Sequence, residues 1–208
     1  MSIPIVVTKN NVNKKLDPRV SEKHGLLVVI IMAFLGLMTI FVETMLVPGL
    51  PSMARDLSAQ TTDLAWVLAA YTLAGAVTIP IVGKLGEMYG RKPLLLAIMI
   101  MYMIGLVGAA ISWDLLSLIV FRAIQGIGMG AITLLMGMAM DILPPRMVPV
   151  GIGLIGAMLG VGAATGMVGG GILISFVGWK DAFWIVLPMV ALLSLIVWRI
   201  VPDKQTRH

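Results

Sequence analysis

Long apolar runs broken by short polar connections dominate this sequence. Five stretches carry no charge: Gly25–Val42, Leu64–Gly83, Pro93–Trp113, Met147–Gly178 and Ala182–Trp198. A sixth, Leu115–Met140, is interrupted only by Arg122. A helix crosses a bilayer core with roughly 20 apolar residues. The pattern therefore predicts six transmembrane helices, at about 26–48, 63–83, 93–112, 115–140, 148–177 and 182–201. Residues 1–25 and 202–208 read as polar tails around a bundle spanning 26–201. The fold class is an all-α membrane protein.

Composition agrees with the pattern. The chain of 208 residues is 59% hydrophobic and 12% charged, with mean hydropathy +1.02. A soluble domain carries about 25% charged residues, so a water-soluble globule is excluded and no room remains for an extramembrane domain. There is no cysteine, and both histidines, His24 and His208, lie outside the apolar runs. Disulfides, thiolate chemistry and His- or Cys-ligated metals are thereby excluded. No nucleophile–base pair appears either, so no enzyme activity, cofactor or metal site is expected. In a soluble protein the net charge of +5 would point to nucleic acid; here the positive residues flank apolar spans, where they set orientation. Twelve Lys and Arg lie in the N-terminal tail, the 84–92 and 141–147 connections and the C-terminal end from Arg199, against Arg55 and Lys180 on the other side. Both termini are therefore expected in the cytoplasm of a multi-pass plasma-membrane protein. Trp66, Trp113 and Trp179 fall at the expected outer boundary and Trp198 at the inner one, as interfacial anchors do.

Three segments carry candidate chemistry. The second connection runs from Gly83 to Pro93, with Lys84, Glu87, Gly90, Arg91 and Lys92 between. Its glycines permit a tight turn, and Glu87 and Arg91, four apart, would pair on a helix. The fourth helix places Arg122, Gln125, Gly126, Met129 and Thr133 on one face. An intramembrane arginine calls for a polar cavity or a carboxylate; the alternative is snorkelling over the roughly 10 Å to the surface. Glu43 is the one acid within the first predicted helix, at a depth comparable to Arg122. The two are expected to face one cavity and couple electrostatically, although an acid there also suits the membrane interface. Thr39 completes the candidate cavity set. The fifth helix is dense in glycine, which permits close helix approach and a packed, moving seam.

Together these segments resemble the major facilitator superfamily, specifically the first half of a drug:proton antiporter. The loop signature Gly-x-Leu-x-Asp-x-x-Gly-Arg-Lys is matched by Gly83, Leu85, Gly90, Arg91 and Lys92, with Glu87 for the aspartate. The fourth-helix signature Arg-x-x-Gln-Gly is matched by Arg122, Gln125, Gly126 and Gly130. Gly153, Gly162, Gly166, Gly170 and Gly171 fit the antiporter glycine spacing of the fifth helix, with Met167 where the motif has proline. The resemblance implies two inverted three-helix repeats making one half of a major facilitator fold. It implies a gating loop at Gly83–Lys92 and substrate and proton coupling at Glu43, Arg122, Gln125, Thr39, Met129 and Thr133. It also implies a second six-helix half as partner, either a second copy or a missing C-terminal half. The expected function is proton-coupled efflux of apolar or amphipathic small molecules by alternating access. The alternative is an inactive or regulatory half-transporter. A single half is also expected to leave Arg122 on an uncovered cavity wall.

Overall fold

The computed structural model describes residues 22–60 and 62–201. It contains six membrane-length helices. α1 spans Glu22–Asp56, α2 Ala65–Tyr89 and α3 Arg91–Ala110. α4 is the span Leu115–Ile142, α5 is Val148–Val177 and α6 is Trp179–Ile200. α1 begins four residues inside the stretch expected as a tail; the rest of that tail and 202–208 lie outside the described residues.

The sequence-derived boundaries hold to within a few residues except at the C-terminal ends of α1 and α2. α1 continues past Pro48 and Pro51 to Asp56, because neighbouring helices and hydroxyls tolerate proline inside a span. Thr44, one turn before Pro48, donates to the Ile40 and Phe41 carbonyls at 3.0 and 3.3 Å. α2 runs six residues beyond its expected end and stops only at Gly90, whose φ of +95° is open to glycine. The expected loop is thus a one-residue turn between two helices, with Pro93 in the first turn of α3.

Two spans are not α-helical throughout. α4 tightens into a 3-10 turn at Ile127–Met129, and α5 widens into a π turn at Gly166–Gly170. Such departures mark functional or strained positions in helices.

The packing shows an internal two-fold. α1 packs mainly against α5 and α6, and α4 mainly against α2 and α3. Exchanging α1 with α4, α2 with α5 and α3 with α6 maps one set of neighbours onto the other, as inverted repeats require. The turns obey the same exchange: Gly90 alone joins α2 to α3, and Gly178, at φ +85°, alone joins α5 to α6 at the opposite end. Trp179, expected as an interfacial anchor at the outer boundary, is buried at 1% exposure, and its indole Nε1 donates to Asp56 at 2.8 Å. Trp66 and Trp113 stay exposed.

Candidate functional site

Glycines bring α2, α3 and α4 together at mid-bundle. A Cβ on Gly105 of α3 would lie 2.7 Å from the Gln125 backbone of α4. One on Gly126 would strike the Tyr71 carbonyl of α2, and one on Gly128 the Tyr102 ring. The helices therefore approach at backbone distance, and the side chains between them are sealed from outside.

Arg122 sits in that space at 0% exposure, among the largest fully buried side chains. Its Nη1 donates to Gln125 Oε1 at 2.6 Å and its Nε to the Val67 carbonyl at 3.4 Å. The guanidinium carbon lies 4.4 Å from the Tyr71 ring centroid, a cation–π distance. Tyr102 Oη donates to the Thr39 carbonyl at 3.4 Å. Three buried polar atoms of this cluster have no hydrogen-bond partner: Arg122 Nη2, Gln125 Nε2 and Tyr71 Oη. Gln125 Oε1 faces Arg122, so its amide nitrogen, like Nη2 and the phenol, is left with protons to donate.

Glu43 is half-buried on α1 and interacts with Arg122 through its field. The hydrogen bonds of the guanidinium go to Gln125 and Val67. Three sequence expectations are corrected here. Arg122 neither snorkels nor stands on an uncovered wall, because α2 and α3 close over it. Thr39 is in the cluster, but its hydroxyl is turned to the Leu35 carbonyl of its own helix. Met129 and Thr133 do not line the same space: Met129 seats on Gly75, and Thr133 lies against Gly83. They keep the α2-facing side shared by Arg122 and Gly126 but lie beyond the cluster, toward the Gly90 end.

At the Gly90 end, the expected Glu87–Arg91 pair does not form. The helix breaks at Gly90 between them, and Glu87 is exposed. Arg91 Nη1 instead reaches α4, donating to the Gly137 carbonyl at 2.5 Å and pairing with Asp141 at 2.7 Å. Gly137 leaves room for the arginine, since a Cβ there would meet Arg91 Nε at 2.7 Å. Lys92 is half-buried beside it.

The glycines of α5 fall into two rows. Gly162, Gly166 and Gly170 lie on α1, where a Cβ would strike Leu37 O, Thr44 and Met45 respectively, and Gly171 lies on Pro48. Gly153, expected in this seam, is not part of it. With Gly156 and Gly160 it has nothing within 4 Å. Tyr71, Tyr102, Asp141, Asp56 and Trp179 were not picked out as site residues by the sequence reading. A buried tyrosine one helix away from an intramembrane arginine has no sequence spacing to reveal it.

The comparisons with known proteins bear on family and fold. The sequence profile described as Major Facilitator Superfamily matches residues 32–208. Multidrug resistance protein 3 of Bacillus subtilis is 32% identical over 85% of this chain and 35% of its own length. Efflux pump dotC of Dothistroma septosporum (strain NZE10 / CBS 128990) is 35% identical over 83% of this chain and 30% of its own. The crystal structure of the human organic anion transporter MFSD10 (TETRAN) superposes with TM-score 0.69 at 19% identity, covering 88% of this chain and 48% of that one. A bacterial homolog of the human lysosomal transporter Spinster, inward-facing and unoccupied, also gives 0.69 at 19%, covering 90% and 44%. The chain thus spans about a third of these curated relatives and just under half of each solved chain.

Proposed function

This chain belongs to the major facilitator superfamily, and from that premise we propose that it acts as a secondary transporter, exporting apolar or amphipathic small molecules against protons by alternating access. The observation that carries this reading is the buried cluster around Arg122, a charge held between helices with unmet donors and with Glu43 in electrostatic reach. A purely structural bundle gains nothing from such a charge, whose burial is expensive in a bilayer. Glu43 takes the role of proton-coupling acid. Arg122, Gln125 and Thr39 link it to the substrate path, with Met129 and Thr133 at the flanking α2 contact. Gly83, Glu87, Gly90, Arg91 and Lys92 form the gate at the end we assign to the cytoplasm, on which both termini of this plasma-membrane protein would lie.

The partner in this reading is a second six-helix half. α2 and α5, exchanged by the internal two-fold, leave most of their apolar windows uncovered, at 22% and 17% buried. On α5 the uncovered row is small, Gly153, Gly156 and Gly160, which suits close approach of another helix. α6 is nearly as exposed but presents Trp184, Met189 and Leu192, which suit lipid. Either a second copy in the same orientation or a C-terminal half fits this face.

The test is dye flux in proteoliposomes under an imposed pH gradient, with oligomeric state read by native mass spectrometry from nanodiscs. Gradient-driven flux by a dimer, lost in Glu43→Gln, is expected. Flux with unchanged rate and pH dependence in Glu43→Gln overturns the coupling role. A monomer inert to the gradient favours the non-transporting, regulatory half.

A further inference from the structure

The three unpaired atoms at mid-bundle have a common character. Arg122 Nη2 offers two N–H groups, Gln125 Nε2 two more, and Tyr71 Oη one O–H. None of the three donates to an acceptor among the described residues, and the nearby carboxylate of Glu43 reaches Arg122 through its field alone. Buried donors left unmet cost about 1–3 kcal/mol each. Tyr71 is especially telling: at 0% exposure with no partner for its hydroxyl, a phenylalanine would pack the same ring over Arg122 without that cost. The phenol has a use only if an acceptor arrives.

A groove adjoins this cluster. It is shallow and open, lined by Ala70, Ala74, Val77, Ala123, Ile124 and Ile127. Its alanines are chain neighbours of the cluster, Ala70 of Tyr71 and Ala123 of Arg122. Gly126 packs against the Tyr71 carbonyl and Ala74 between α2 and α4, immediately before the 3-10 turn of α4. Parting α2 from α4 at that glycine joins an apolar trough to a donor-rich, positive end.

We infer that this site receives an amphipathic organic acid, its carboxylate on Arg122, Gln125 and Tyr71 and its apolar body along the α2–α4 groove. A carboxylate supplies about four lone-pair sites and a negative charge to the unpaired Nη2 and its neighbours. Tyr71 is then a ligand-binding residue, not core filler. The inference rests on the transport reading and narrows its substrate class.

The experiment is binding of dansylaminoundecanoate, and of its methyl ester, to the chain in nanodiscs. Saturable binding of the acid is expected, with the ester about tenfold weaker or worse, the scale of one hydrogen bond to a charged group. Tyr71→Phe should weaken the acid by about the same factor at a raised melting temperature, because its hydroxyl bonds nothing in the unliganded fold and its burial cost is removed. Equal binding of acid and ester, or full affinity in both Tyr71→Phe and Arg122→Gln, overturns the inference. So does acid binding that appears only in Glu43→Gln, which would make Glu43 itself the carboxylate held by these donors. Acid binding without dye flux sustains the site and defeats transport. Flux of a neutral dye without acid binding does the reverse.

Discussion

At the Gly90 end of the bundle, the first residue of α3, Arg91, reaches to Asp141 near the C-terminus of α4. At the Gly178 end, the first residue of α6, Trp179, reaches to Asp56 at the C-terminus of α1. The internal two-fold exchanges these contacts: each follows a positive-φ glycine, and each ties the third helix of one repeat to the first helix of the other. Their chemistry differs. The Arg91–Asp141 side chains are 24% and 43% exposed, so water and salt weaken their attraction. Trp179 is buried, a neutral donor whose ring meets Phe183 edge-on at 6.5 Å and carries Lys180 at 5.2 Å. One geometry thus gives a contact that parts at little cost and one that must expose an indole to part.

Removing Trp179 breaks the comparison most severely. Trp179→Ala should destabilise the bundle by about 3–5 kcal/mol, the range for deleting a buried aromatic, and Trp179→Phe by roughly 1–3 kcal/mol as Asp56 loses its donor. Thermal unfolding in nanodiscs measures both. Equal, negligible shifts would mean that the tryptophan is a lipid anchor after all. Next come the hinges. Gly90→Ala and Gly178→Ala each force a Cβ into an extended, positive-φ conformation (ψ 138° and 164°) that is close to glycine-only, at about 1–3 kcal/mol. Neither glycine is tightly enclosed, since a Cβ on Gly90 would lie 3.6 Å from Pro93 and one on Gly178 would meet nothing within 4 Å. Their costs should therefore match; a large difference would show that one turn bears strain that the other does not.

What the sequence revealed and what it hid follow one rule. Apolar length placed six spans, and the glycine signatures located the close contacts, because both are local properties of the chain. Spacing placed Arg122 and Gln125 together correctly, three residues apart on one helix. It put Met129 and Thr133 on the right, α2-facing side though beyond the cluster, and it failed for Glu87–Arg91 because Gly90 breaks the helix between them. Partners across helices stayed invisible: Asp141 looked like loop charge and Trp179 like an anchor. Helical periodicity reports which face a residue occupies, never which residue of another helix meets it.

The exposed latch should respond to salt where the buried one does not. Asp141→Asn is expected to cost about 0–1 kcal/mol at low ionic strength and less in high salt, whereas the cost of Trp179→Phe should not depend on salt. Unfolding at two ionic strengths measures the difference, and a salt-independent Asp141→Asn would mean that Arg91 is held chiefly by the Gly137 carbonyl.

The smallest effect is at the Gly178 end, where α4 starts. Asp114 caps that helix, accepting the Ser117 N–H at 2.8 Å while the Ser117 hydroxyl accepts from the Asp114 N–H at 3.2 Å. The Ser117 side chain, and then its N–H, hold the Asp114 carboxyl below its ordinary value. The folded state therefore favours the ionised form, so its stabilisation is full above the usual carboxylate range. It fades as pH falls through the lowered folded value. Amide exchange in the first turn of α4 should accelerate with acid relative to its intrinsic rate. Asp114→Asn keeps the cap without the titration, so that acceleration should vanish; if it persists, acid opens this end through another group.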